Sequence, residues 1–104
     1  MIFVTLSEAA DRGELLLAQD ALCRWHRRRD GVVVIRELLV LPFARRAGLG
    51  RQMVRDVIAR ADGSPVRARC PASYEANGFW AKVGFRLMSQ TDGVNLWELP
   101  GCPT

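Results

Sequence analysis

The chain has 104 residues, 49% of them hydrophobic, with 15 basic against 11 acidic side chains and a formal net charge of +4 at pH 7. That length supports one hydrophobic core rather than two, so residues 1–104 are expected to form a single domain. No apolar run approaches the roughly 18 residues of a membrane span and no secretory leader pattern is visible, which makes a cytoplasmic location without membrane contact the expectation.

Ile2 to Leu6 is apolar enough for a short edge strand. Ser7 is placed to cap a helix running to about Leu17, although Gly13 weakens it. From Asp20 to Pro42 the chain reads DALCRWHRRRDGVVVIRELLVLP, and two readings compete. As a helix, residues 21–29 would form a basic amphipathic surface. As a strand they would join 32–41 through a two-residue Asp30–Gly31 turn, and the β-branched residues after Gly31 favour this hairpin. Helical periodicity in RQMVRDVIARA predicts a helix over 49–61, ending at Asp62–Gly63. A strand over 65–70, a helix over 74–83, and strands over 84–90 and 94–99 turning at Asp92–Gly93 complete the pattern. Helices interleaved with antiparallel hairpins make a mixed α/β (α+β) fold, with a mostly antiparallel central sheet flanked by helices.

The most informative segment is LLVLPFARRAGLG, Leu38 to Gly50. An apolar strand ends at Pro42, two arginines follow, and two glycines open a helix whose first turn has few side chains. Such a start has unpaired N–H groups and the positive end of the helix dipole, which suits a phosphate. Gly48 and Gly50 would let a phosphate approach the backbone, while Arg45, Arg46 and Arg51 add charge. Two other phosphate loops are absent: there is no G-x-x-x-x-G-K-[ST], and no G-x-G-x-x-G followed by an acidic residue about 20 positions on.

The spacing Arg45-x-x-Gly48-x-Gly50 after a strand resembles motif A of the GNAT superfamily of acyl-CoA N-acyltransferases. A second segment, ANGFWAKVGF from Ala76 to Phe85, resembles the family's late A-x-x-F-Y-x-x-x-G-F. Ala76, Phe79, Val83, Gly84 and Phe85 fall in its register, though a helix with an aromatic core face closed by Gly84 would look the same. The resemblance covers roughly 32–99 and implies a truncated GNAT-like fold. In the family picture Leu38, Leu39 and Val40 hydrogen-bond the pantetheine arm of acetyl-CoA, and Arg45, Arg46, Ala47, Gly48, Leu49, Gly50 and Arg51 hold its diphosphate. The acetyl group then passes directly to a primary amine, with no metal.

Where the family often has a tyrosine, this chain has Trp80, which can pack on pantetheine but cannot protonate a thiolate. Tyr74, the only tyrosine, is the candidate acid. Ser73 stands in place of a common asparagine, and Asn77 is a second polar candidate for the cofactor. Glu37 on the strand before motif A matches an acidic residue that some members use as base. Desolvation of a carboxylate suits it to that task, and an ion pair with Arg36 or a neighbouring-strand arginine is the competing role. Glu98 is a weaker second candidate. A catalytically degenerate GNAT module binding acyl-CoA, nucleic acid or a protein partner is the alternative that Trp80 keeps open.

Cys23, Cys70 and Cys102 form no disulfide or zinc pattern; Cys70 reads as a buried structural thiol near the acyl site. His26 has no partner spacing for a metal. Arg24 to Arg29 mixes basic and aromatic residues as nucleic-acid surfaces do, but strand alternation would divide it between faces, and a solvated face is favoured. The resembling family typically has more chain before motif A than is present here, which leads to the expectation of a large acceptor or a neighbouring subunit over the site. Leu15, Leu16, Leu17 and the strand NLWEL, with Leu96 and Glu98 on one face and Trp97 and Leu99 on the other, suggest a homodimer.

Overall fold

The computed structural model describes residues 12–18, 20–41 and 48–101. The described residues form a sheet of six strands: β1 (Leu15–Ala18), β2 (Ala21–Arg27), β3 (Val33–Val40), β4 (Val66–Pro71), β5 (Arg86–Thr91) and β6 (Val94–Leu99). They lie in the order β1-β2-β3-β4-β6-β5. Only β3 and β4 run parallel, because the helix α1 (Leu49–Ala61) carries the chain back across the sheet between them. A second helix, α2 (Ala76–Lys82), follows β4. The predicted mixed sheet with flanking helices is therefore the observed architecture.

Both helices cover one sheet face. Met53, Val54, Val57 and Ala61 recur along α1 at helical spacing and meet Val33, Ile35, Val66 and Ala68 from the strands. Trp80 of α2 joins them, with Phe79 and Phe85 at ring-centroid distances of 5.2 and 5.1 Å. Arg27 reaches this face too. It donates to the carbonyls of Arg60 and Ala61 and to Ser64 Oγ, neutralising the C-terminal end of α1.

Two expectations are corrected. The helix proposed from Ser7 to Leu17 does not extend to its end: Leu15–Ala18 is a strand paired with Ala21–Arg24. Ladder hydrogen bonds and strand alternation, which turns Leu16 toward the core and leaves Leu17 exposed, outweigh the helix propensity of three leucines. Residues 2–6 and the start of that helix lie outside the described residues. Next, the β2–β3 hairpin is real, but its turn is not the two-residue Asp30–Gly31 type. Only Gly31 has positive φ, 92°, Gly31 N bonds Arg28 O, and Asp30 Oδ1 accepts from Val32 N. That is a three-residue loop with one left-handed glycine. Asp92–Gly93, with φ of 53° and 75°, is the expected two-residue turn. The last strand, β6, lies between β4 and β5, with Trp97 under α2.

Candidate functional site

The parallel ladder between β3 and β4 is short. It runs from Val33↔Val66 to Ile35↔Ala68 and then stops, so the two strands separate toward their C-terminal ends. At the same point β3 is irregular against β2: Arg24 pairs with Glu37 and Trp25 with Ile35, which leaves Arg36 as an extra residue. A bulge of this kind bends the strand and strengthens its twist. The result is a cleft of about 590 Å³, lined along β3 by Glu37, Leu38, Leu39 and Val40 and floored by Phe79 and Trp80. No strand of the described residues pairs with the β4-facing edge of β3 at Leu38 and Leu39.

The cleft adjoins a second hollow of about 610 Å³ at the start of α1, lined by Gly48, Leu49, Gly50, Arg51 and Lys82. Gly48 is the N-cap, in a left-handed conformation with φ 84°, and no side chain caps the helix. The first internal bond is Gln52 N to Gly48 O, and the first turn contains no acid. Its N–H groups therefore face the hollow beside Arg51 and Lys82, an arrangement that attracts anions. Arg45, Arg46 and Ala47 lie outside the described residues.

The two glycines differ in their reasons. A Cβ on Gly48 would meet nothing within 4 Å, so only its φ demands glycine. A Cβ on Gly50 would come within 3.3 Å of the Phe79 ring, so Gly50 serves the close approach of α1 to α2. Phe79 fills only the side of Gly50 that a Cβ would take, and the residue still lines both hollows.

Trp80 is buried and lines the cleft wall. Tyr74 also lines the cleft but is 61% exposed, in the turn before α2 rather than on the predicted helix. Ser73 stands exposed in that turn and lines neither hollow. Asn77, expected to face the cofactor, acts as a brace in the structure. Its Nδ2 donates to the carbonyls of Pro71, Ala72 and Tyr74 at 2.8–3.2 Å, and its Oδ1 accepts from Asn95 Nδ2 and Trp97 Nε1. Every polar position of the amide is occupied.

Glu37 lines the cleft and pairs through Oε1 with Arg24 on β2 at 3.0 Å. A neighbouring-strand arginine thus holds one carboxylate oxygen. Glu98 pairs with Arg67 at 2.6 Å and lines no part of the cleft. Cys70 lines the cleft as a buried thiol whose pKa burial pushes up, so it remains protonated near neutral pH. Among the described residues no cluster of His, Cys, Asp and Glu could hold a metal ion, and no helix is long and apolar enough to cross a membrane. The basic run on β2 is divided: Arg27 caps α1, Arg28 pairs with Asp30, and His26 lies on the other face. Lys82 at the second hollow escaped the sequence reading, although its position two residues before Gly84 could have marked it.

Residues 17–96 match the family described as Acetyltransferase (GNAT) domain. No curated protein matches in sequence. Among solved structures, the ribosomal-protein-S18-alanine N-acetyltransferase of Escherichia coli is similar with a TM-score of 0.72 at 19% identity, over 95% of this chain and 77% of that one. An acetyltransferase of Bacillus subtilis in complex with CoA is similar with a TM-score of 0.68 at 17% identity, over 83% and 74%. A GNAT-family protein of Desulfovibrio desulfuricans gives 0.70 at 14% identity over 82% of this chain, which spans 64% of that protein's length.

Proposed function

Because this chain belongs to the GNAT acetyltransferase family, we propose that it is a cytoplasmic enzyme that transfers an acetyl group from acetyl-CoA to a primary amine. The observation that carries this reading is the opening of the sheet beyond Ile35↔Ala68, which leads to the uncapped first turn of α1. The pantetheine arm lies along β3 at Leu38, Leu39 and Val40 as a strand would. The diphosphate rests on the N–H groups of Leu49, Gly50 and Arg51 after Gly48, with Arg45, Arg46 and Ala47 before them. The CoA complex of the Bacillus subtilis neighbour supports this use of the fold.

The amine attacks the thioester carbonyl directly while a backbone N–H of β3 polarises the carbonyl oxygen. A C–N bond forms and the C–S bond breaks. The amine proton passes to Glu37, directly or through one water, and the departing thiolate takes a proton from the Tyr74 hydroxyl. Trp80 supplies a packed wall beside the thioester. Because positioning provides most of the rate, tryptophan in place of tyrosine leaves the reaction available. The burial of Trp80 and exposure of Tyr74 favour one second reading, a module that binds acyl-CoA or a partner without turnover.

Isothermal titration tests the first step. Wild-type protein is expected to bind CoA, and Gly48→Asp to weaken binding on the order of tenfold, since a carboxylate enters the phosphate site. No affinity at millimolar CoA would sink the assignment. Acetyl-CoA turnover against amine, peptide and nucleic-acid acceptors separates the enzyme from the binding module.

A further inference from the structure

Arg36 and Arg69 occupy the positions just beyond the last β3–β4 pair, Ile35↔Ala68, one on each strand of the fork. Both are exposed. Both line the inner end of the cleft and also a smaller hollow of about 350 Å³ that opens on the sheet face away from the helices. They therefore stand where the cleft communicates with that open face.

Among the described residues their neighbours are neutralised and they are not. Arg24 pairs with Glu37, Arg28 with Asp30 and Arg67 with Glu98. Among the described residues no carboxylate pairs with Arg36 or Arg69. Arg36 makes one side-chain hydrogen bond among the described residues, an orienting one: its Nε donates to His26 Nδ1 at 3.0 Å, which leaves both terminal nitrogens for a ligand. Two unpaired guanidinium groups facing one opening repel each other, and an anion between them removes that repulsion through charge-assisted hydrogen bonds.

The anion is not the CoA diphosphate. Arg36 lies four residues before Val40, about 13 Å along the strand from the hollow at α1. It lies next to Glu37, at the end of the cleft where the amine must arrive. We propose that the acceptor is an amine carrying its own oxyanion, a carboxylate or a phosphate, gripped between Arg36 and Arg69 while the amine meets Glu37. This rests on the acetyltransferase reading above and adds the acceptor class to it.

Ligand-observed NMR compares matched probes on wild-type protein with and without CoA: β-alanine against β-alaninamide, and phosphoethanolamine against ethanolamine. The anionic member of at least one pair is expected to bind at least tenfold tighter, and the pair showing the larger preference identifies carboxylate or phosphate. In the exposed double variant Arg36→Gln/Arg69→Gln the preference is expected to fall below threefold, while CoA titration reports an intact cleft. Equal binding within both pairs, a preference that survives in the variant, or no probe binding to CoA-loaded protein would overturn the proposal. Failure of wild-type protein to bind CoA falls instead on the acetyltransferase reading, and an anion preference persisting there would mark the arginine pair as an anion site of another kind.

Discussion

Glu37 is held by Arg24 at 3.0 Å through one oxygen while its side chain lines the cleft. A base in that position needs a free lone pair, and the second oxygen supplies it. Glu37→Gln is expected to lower the acetylation rate by roughly two orders of magnitude and change the pH–rate profile, with CoA affinity nearly unaltered. A profile that keeps its shape would return Glu37 to an ion-pair role. The acid and its strand were legible in the sequence, as was the prospect of a cross-strand arginine, because charge and alternation are local properties. The Arg36–His26 contact was not, since a bulge shifts the register and no spacing announces it. His26 titrates below its ordinary 6.5, first because burial disfavours the imidazolium and next because Arg36 faces it. Arg24 and Arg28 push the same way and Glu14 opposes. The unfolded chain therefore takes up this proton first as pH falls, and stability is lost from about pH 6.5 downward through the lower native value. An NMR titration of Arg36→Gln should show the midpoint moving up yet remaining below 6.5. No movement would mean that the contact does not form in solution.

At the scale of elements, α1 over 49–61 and β6 over 94–99 agree with the sequence reading because periodicity, glycine signals and a two-residue Asp–Gly turn act locally. The short α2 needs more. Seven residues do not hold a helix in isolation, and Asn77 ties its first turn to the β4 exit and to β6 through five hydrogen bonds. That role is invisible from sequence, where Asn77 looks like any polar helix residue, because its partners are 18 and 20 positions away. Asn77→Ala is expected to cost about 2–4 kcal/mol in urea unfolding, since buried donors on Asn95 and Trp97 lose their acceptor. A loss below about 0.5 kcal/mol would remove the brace. The same helix floors the cleft with Phe79 and Trp80, so acetyl-CoA binding should weaken alongside stability.

For the whole molecule, strand alternation gathers the leucines into a surface. Leu17 pairs with Leu22 and Leu22 with Leu39, so the three form a row across β1, β2 and β3 on the face away from the helices. Leu17 is 70% exposed and Leu39 49%, and Leu39 also lines the cleft. An apolar row bordering a binding cleft suits burial against a second copy, and a two-fold contact would set the same leucines against each other. It would also wall the open side where the acceptor arrives. Of the two elements expected in the contact, the terminal strand offers no sheet edge because β6 is interior, and the leucine run remains. We propose a homodimer through this row. Light scattering at tens of micromolar is expected to give about twice the 11.6 kDa chain mass, and Leu17→Glu to give one chain mass with CoA affinity retained. A monomer mass for the wild-type protein would refute the dimer. A Leu17→Glu protein that stays dimeric would move the contact to the exposed β5 edge, where Leu87 and Met88 are about half exposed.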